Sequence, residues 1–291
     1  ATDVELQDVT QAFSISITSG DQYFNQTSLL LNADVSPFNA DASTSALTLT
    51  LSGAPKPNNL NPYTPGYYSN YFNGSSYLTV SSSNEFIASG VGFTAEAWVY
   101  YSSVSNYTFI LSSTTGTNNY NPYWFIGTTN TGNWRLSWGD ASAIDTGVAV
   151  GLGRWNHVAM VMASNGTGTF YVNGVSTATT TGKTLNGSAT GIAIGDAGGS
   201  IAGSYILTGY ISNVRYVKNS SVYTGKFTPS TAPLTAISGT ALLTCQSYRV
   251  VDNSTNALTI TATGTPQISG FVPYAPNSSY AAYGSTYFDG S

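Results

Sequence analysis

Phe93-Thr-Ala-Glu-Ala-Trp-Val-Tyr-Tyr101, Asn156-His-Val-Ala-Met-Val-Met-Ala163 and Gly168-Thr-Phe-Tyr-Val-Asn-Gly174 decide the fold class. The first is β-branched and aromatic over nine residues, with Gly92 in front of it. The second alternates Val158, Met160 and Met162 against Ala159, Val161 and Ala163, the period of a strand. The third ends on Asn173-Gly174, a strong hairpin signal because a type I′ turn needs positive φ at both central residues. Further strands are predicted at Tyr77–Val80, Tyr107–Ser112, Tyr123–Gly127, Asn133–Trp138, Gly191–Gly195 and Gly209–Lys218. No segment shows a sustained helical period with caps. The expected fold is all-β, a two-sheet antiparallel sandwich rather than a small barrel.

Composition agrees. Of 291 residues, charged side chains make up 7%, against about 25% in an ordinary globular chain. Eight Lys and Arg against thirteen Asp and Glu give a net charge of −5, so there is no basic footprint for nucleic acid. Glu occurs only at Glu5, Glu85 and Glu96, too few for a helical bundle. No apolar run approaches the roughly 20 residues that cross a bilayer. Thirty Gly, twenty-one Tyr and abundant Ser and Thr describe sheets whose solvent faces are hydroxylic rather than charged. The lone Cys245 has no disulfide partner and reads as a small buried hydrophobe. Asn-x-Ser/Thr triplets, as at Asn25 and Asn106, are no more frequent than so much Ser and Thr produces by chance.

The chain repeats itself. Asp41-Ala-Ser-Thr-Ser-Ala-Leu-Thr-Leu-Thr-Leu-Ser-Gly-Ala-Pro55 matches Asp252-Asn-Ser-Thr-Asn-Ala-Leu-Thr-Ile-Thr-Ala-Thr-Gly-Thr-Pro266 without a gap. Thr27–Leu31 matches Thr240–Thr244, and Tyr71-Phe-Asn-Gly-Ser75 matches Tyr287-Phe-Asp-Gly-Ser291. The aromatic stretch 62–72 recurs at 273–288, which suggests packing between repeats. We therefore expect an N-terminal extension or linking strand over 1–24, a complete unit over 25–236, and the start of a second repeat over 237–291. Such a chain is expected to be a window of a tandem array or a protomer completed by a neighbour, with copies of itself or neighbouring repeats as partners. Phe13, Ile15 and Ile17 alternate with Ser14, Ser16 and Thr18, so 1–24 is expected to dock as a strand onto another unit.

Seven motifs in register (Tyr71–Ser75, Tyr77–Val80, Phe93–Val99, Arg154–Ala159, Tyr171–Gly174, Ile194-Gly195 and Gly209–Tyr216) resemble the laminin-G-like, concanavalin A-like jelly roll. The likeness is strongest to the divergent repeats of marine phage structural and tail-fibre proteins and of bacterial surface adhesins. It implies a non-enzymatic structural or adhesive component of a virion appendage or extracellular filament. The alternative is a lectin-like module that binds surface polysaccharide. Glycan hydrolases that share this fold place their carboxylates as Glu-x-Asp-x-(x)-Glu on one strand, and no such cluster exists here, so no enzyme is expected. Glu96 is expected to pair with Arg215 inside the sandwich, since a buried charge needs a partner. His157, the only histidine, is expected to pack structurally.

The family often holds Ca²⁺ at the sandwich rim through carboxylates, amides and carbonyls. The resemblance makes Asp140, Asp145, Asp196 and Asn73 candidate ligands, each of which also has a turn-forming explanation. Glycan binding needs exposed rings beside amides. Residues 117–138 supply Tyr120 and Tyr123 with Asn119 and Asn121, while Trp124, Trp134 and Trp138 either join them or fill the core. Localisation is expected to be extracellular or virion, with no membrane insertion and no nucleic acid partner.

Overall fold

The computed structural model describes residues 43, 45–47, 56–58, 68–80, 83–86, 92–113, 124–138, 143–183, 191–198, 202–273 and 285–287. The chain divides into two units, Asn58–Ser279 and a smaller one of Ala1–Pro57 with Tyr280–Ser291. The expected strand around Phe13 lies outside the described residues.

In chain order the strands are β1 (Lys56–Asn58), β2 (Ser69–Asn73), β3 (Tyr77–Val80), β4 (Phe93–Tyr100), β5 (Thr108–Ser113), β6 (Phe125–Thr128), β7 (Asn133–Ser137), β8 (Ile144–Ala149), β9 (Trp155–Met162), β10 (Gly168–Val172), β11 (Val175–Thr180), β12 (Ile192–Ile194), β13 (Thr208–Lys218), β14 (Thr240–Thr244), β15 (Ile260–Thr263), β16 (Gln267–Ser269) and β17 (Ser285–Tyr287). The large sheet runs β11-β10-β9-β4-β13-β2-β16, with β14 also paired to β13. The facing sheet runs β15-β3-β12-β5-β6-β7-β8. Neighbours pair antiparallel, as in β4 with β9 and β6 with β7. In the smaller unit, β1 pairs with β17.

The period-2 pattern sets the faces. Phe93, Ala95, Ala97 and Val99 of β4 point into the core, as do Val158, Met160 and Met162 of β9. From the other sheet come Leu78, Ile110, Ile126, Leu136, Ile192 and Ile194. Trp124, Trp134 and Trp138 are 2%, 0% and 1% exposed, so of the two readings open for them the core is the one realised. Cys245 is buried, and burial pushes its thiol pKa up to about 12.

Two features depart from a bare sandwich. First, the outer face of the large sheet is covered by a strap, residues 219–239. The Thr94 hydroxyl donates to the Ser220 carbonyl (2.9 Å) and accepts from the Val222 amide (3.0 Å). Tyr223 and Phe227 stack on each other at 3.6 Å and lie over Ala159, Val161 and Tyr171. Second, residues 240–269, where the sequence led us to expect the start of another repeat, contribute β14, β15 and β16 to this same sandwich. They pair with β13, β3 and β2 respectively. The Asp252 carboxylate braces this closing segment by accepting from the amides of Leu243 (3.0 Å), Ser254 (2.8 Å) and Leu258 (2.9 Å).

Candidate functional site

The glycan candidates Asn119, Asn121, Tyr120 and Tyr123, and the metal candidate Asp140, lie outside the described residues. Asp196 is fully buried, and its carboxylate accepts from the amides of Gly198 (3.2 Å) and Gly203 (3.0 Å). It thereby ties the Gly198 and Gly203 amides to one carboxylate. Asn73 accepts from the amide and hydroxyl of Ser75 at 3.0 and 2.8 Å, the Asx turn its sequence context allows. Asp145 accepts from the Gly147 amide (2.8 Å) and from the Asn133 side-chain amide (3.3 Å). Among the described residues no three His, Cys, Asp or Glu side chains come together as a metal cluster.

Glu96 does pair with Arg215, through Nε at 2.8 Å and Nη2 at 2.6 Å. The expected location was inside the sandwich, and this is corrected by the alternation of β4. Glu96 is even in a strand whose odd residues face the core, so it lies on the outer face, beneath the strap. His157 Nε2 donates to its second oxygen at 3.0 Å and the Tyr223 hydroxyl donates at 2.7 Å. Burial works to raise the Glu96 pKa, but the bonds and charges of His157, Arg215 and Tyr223 outweigh it and hold the carboxyl below its ordinary range. Arg215 also donates to the Thr235 carbonyl at 2.9 Å, so the ion pair ties both ends of the strap to the sheet. This is an anchor: the carboxylate is 0% exposed, with donors on both oxygens.

Accessible chemistry gathers on the outer face of the smaller sheet. Phe109, Gly127, Arg135 and Asp145 stand in one row across β5, β6, β7 and β8. A Cβ on Gly127 would clash with the Thr108 carbonyl, so this position stays bare and leaves room beside Arg135. The Arg135 guanidinium lies 4.9 Å from the Tyr107 ring centre and 5.3 Å from that of Phe125, within cation–π range of both. Tyr205 meets Tyr107 edge-on at 6.4 Å and Phe109 at 5.5 Å. Phe109 and Phe125 are buried, while Tyr107, Tyr205, Arg135 and Asn133 are half-buried and Asp145 is exposed. The Ser112 hydroxyl donates to the carbonyls of Asp196 and Ala197, and the Phe109 amide donates to the Tyr205 carbonyl at 3.0 Å. The Asp196 brace thus sets the loop that presents Tyr205. Among the described residues no carboxylate is bonded to Arg135.

A second aromatic group, Tyr71, Tyr100, Trp155, Tyr210 and Phe271, occupies the outer face of the large sheet beyond the strap. Phe271 meets Tyr100, Tyr210 and Trp155 at 4.8, 5.0 and 5.3 Å. These rings pack on one another and pin the end of the closing segment. Sequence reasoning missed both groups, because each assembles from strands far apart in the chain. The one local signal was the outward phase of Arg135 in β7, with Tyr107 just ahead of β5.

Two antiparallel sheets facing across an aromatic core, with almost no helix among the described residues, define a concanavalin A-like sandwich. Residues 72–221, just over half of the 291-residue chain, match the Laminin_G_3 model of the Concanavalin A-like lectin/glucanases superfamily, and the chain belongs to that family. Among solved structures it is similar to a Bacteroides ovatus protein designated a candidate carbohydrate binding protein (TM-score 0.54, 18% identity, 73% of this chain and 62% of that one). The chain therefore spans less than two thirds of that relative's length. It is also similar to the heptameric SAP-like pentraxin of Limulus polyphemus (TM-score 0.47, 15% identity, 69% and 94%). A third likeness is to domain 4 of the arabinanase AbnA from Geobacillus stearothermophilus, solved with arabinotriose (TM-score 0.39, 18% identity, 66% and 89%). No curated protein matches the sequence.

Proposed function

We propose that this chain is a non-enzymatic, lectin-like module that binds glycan on the outer face of its smaller sheet, at Tyr107, Tyr205, Arg135, Asn133 and Asp145. The observation that carries the reading is their convergence: two half-buried phenol rings, a guanidinium with no carboxylate bonded to it among the described residues, and an amide–carboxylate pair. A pyranose offers C–H groups to an aromatic face and hydroxyls to donors and acceptors around it. Ring, guanidinium and Asn133–Asp145 supply those three in one patch. The family and the fold of the Bacteroides ovatus protein support carbohydrate binding more than the structural virion or filament role expected first. An extracellular setting, where surface glycan is met, is part of this proposal. Among the described residues no helix is long and apolar enough to cross a membrane.

A glycan-array screen followed by titration calorimetry tests the site. Arg135→Ala is expected to weaken binding about tenfold or more, since a hydrogen bond to a charged group contributes about 1.5–3 kcal/mol, and Tyr205→Ala about two- to tenfold, since an aromatic contact contributes about 0.5–1.5 kcal/mol. Binding that survives both substitutions in folded protein would sink the assignment. Calcium enters the same assay: an ion held at the rim by Asp196 and Asn73 would raise the melting temperature, and a chelator would reverse the rise.

A further inference from the structure

The outer face of the large sheet carries an aromatic row that the strap leaves open. Gln267 pairs with Tyr71, Tyr71 with Tyr210, Tyr210 with Tyr100, and Tyr100 with Trp155. Directly paired residues share a face, so the five side chains stand side by side across β16, β2, β13, β4 and β9. Successive rings from Tyr71 to Trp155 lie 4.9, 6.0 and 5.8 Å apart. All four rings are half-buried, and Gln267 is exposed. Cross-strand ring pairs steady a sheet, and phenylalanine would serve that purpose as well. Here three of the four are tyrosines, whose hydroxyls make no hydrogen bond among the described residues. The row contains no Asp, Glu, Lys or Arg.

Phe271 walls one side of the row. Its carbonyl accepts from the Ser69 hydroxyl at 2.6 Å, one outward position along β2 from Tyr71, and its amide donates to the Ser269 hydroxyl at 3.0 Å. Its ring stands nearly perpendicular to those of Tyr100 (88°) and Tyr210 (68°), a rib beside the row. The strap lies beyond, with Tyr223 and Phe227 against His157, one outward position along β9 from Trp155.

We infer that this row is a second binding surface, whose ligand is an uncharged, extended polysaccharide chain lying across the strands. The rings offer faces to sugar C–H groups, and the three phenols and the Gln267 amide offer donors and acceptors to sugar hydroxyls. Nothing in the row answers a charge. Its dimensions select the same class. Strands about 4.8 Å apart and outward positions about 7 Å apart make a strip of about 19 by 7 Å, on the order of 130 Å², against about 800 Å² per partner in a stable protein interface. A thin polymer fits this strip, and a second copy of the chain does not. The row lies on the opposite sheet from Arg135 and is independent of that patch; with both, one molecule holds two glycan chains at once.

The test uses the full chain carrying Arg135→Ala, which removes the guanidinium of the opposite patch. Affinity electrophoresis is run through gels containing hydroxyethyl cellulose, laminarin, xylan or linear arabinan, with polygalacturonate as the charged comparison. Retardation by at least one neutral chain is expected, unchanged by added salt. Tyr71→Ala and Tyr210→Ala are each expected to weaken it about two- to tenfold, and Tyr210→Phe less, because the ring remains. The bound chain is also expected to shield Trp155 from a soluble quencher, a readout that needs no substitution in the row. No retardation by any neutral chain, stronger retardation by polygalacturonate, retardation that persists in the folded Tyr71→Ala, Tyr210→Ala double variant, or a Trp155 left unshielded would each overturn the inference. So would a doubled mass in light scattering that the double variant abolishes, since a second copy then covers the row. None of these outcomes bears on the Arg135 patch, whose own test is the loss of binding on Arg135→Ala.

Discussion

Glu96 shows how much one residue can organise here. A carboxylate with no exposure is tolerable only with partners, and it has Arg215, His157 and Tyr223. Glu96→Gln leaves Arg215 without its counter-charge and is expected to destabilise the fold by about 3–5 kcal/mol, read as a lower denaturation midpoint. Because the folded pKa lies below the ordinary 4.5, its contribution is complete above that pH and fades as pH falls through the folded value. Wild-type melting temperature is therefore expected to drop below about pH 4.5, and Glu96→Gln should show a shallower drop over the same window. The Glu96–Arg215 pairing was legible in the sequence because few charges compete for it. Its place on the outer face, and the shares of His157 and Tyr223, were not, because they depend on the strap crossing β4 and β9.

At the scale of elements, the sequence pattern located β4, β9, β10 and β13 to within a residue or two, since strong alternation and the Asn173-Gly174 turn leave little freedom. That turn has φ of 50° and 79°, as a type I′ hairpin requires. It also shows what alternation could not reveal. A Cβ on Gly174 would clash with the Phe227 carbonyl, because the strap is bonded there through the Phe227 amide (3.0 Å). Gly174→Ala is expected to cost about 1–3 kcal/mol and to loosen the strap, seen as faster proteolysis within residues 219–239. The strap itself has no strand or helix period, so its role was invisible until its contacts with Thr94, Gly174 and Arg215 were seen. The edge strands β14, β15 and β16 are short or half-exposed and carry a weak pattern. Their repeat was evident; the sandwich they complete was not.

For the whole molecule, closure joins residues nearly two hundred positions apart, as in β16 with β2 and β15 with β3. Non-local pairing of this kind places refolding in the millisecond-to-second range, to be followed by the fluorescence of the buried tryptophans. Phe271, 43% exposed yet touching Tyr100, Trp155 and Tyr210, holds the last turn of the closing segment. Phe271→Ala is expected to lower stability by about 1–3 kcal/mol and to open Trp155 to a soluble quencher, without affecting glycan binding on the opposite sheet. A linked loss of binding would show that the two faces are coupled.

By itself the sequence determined the class: low charge, hydroxylic faces and period-2 segments admit two antiparallel sheets around tryptophan and aliphatic side chains, and residues 41–55 match 252–266 without a gap. The tertiary structure alone decided which rings meet Arg135, that Glu96 anchors a strap, and which sandwich residues 240–269 complete. The physical reason is range. Alternation and turn chemistry act between neighbours in the chain and are written locally, whereas a patch or a closing edge is set by strand order across the sheet, which no local pattern encodes.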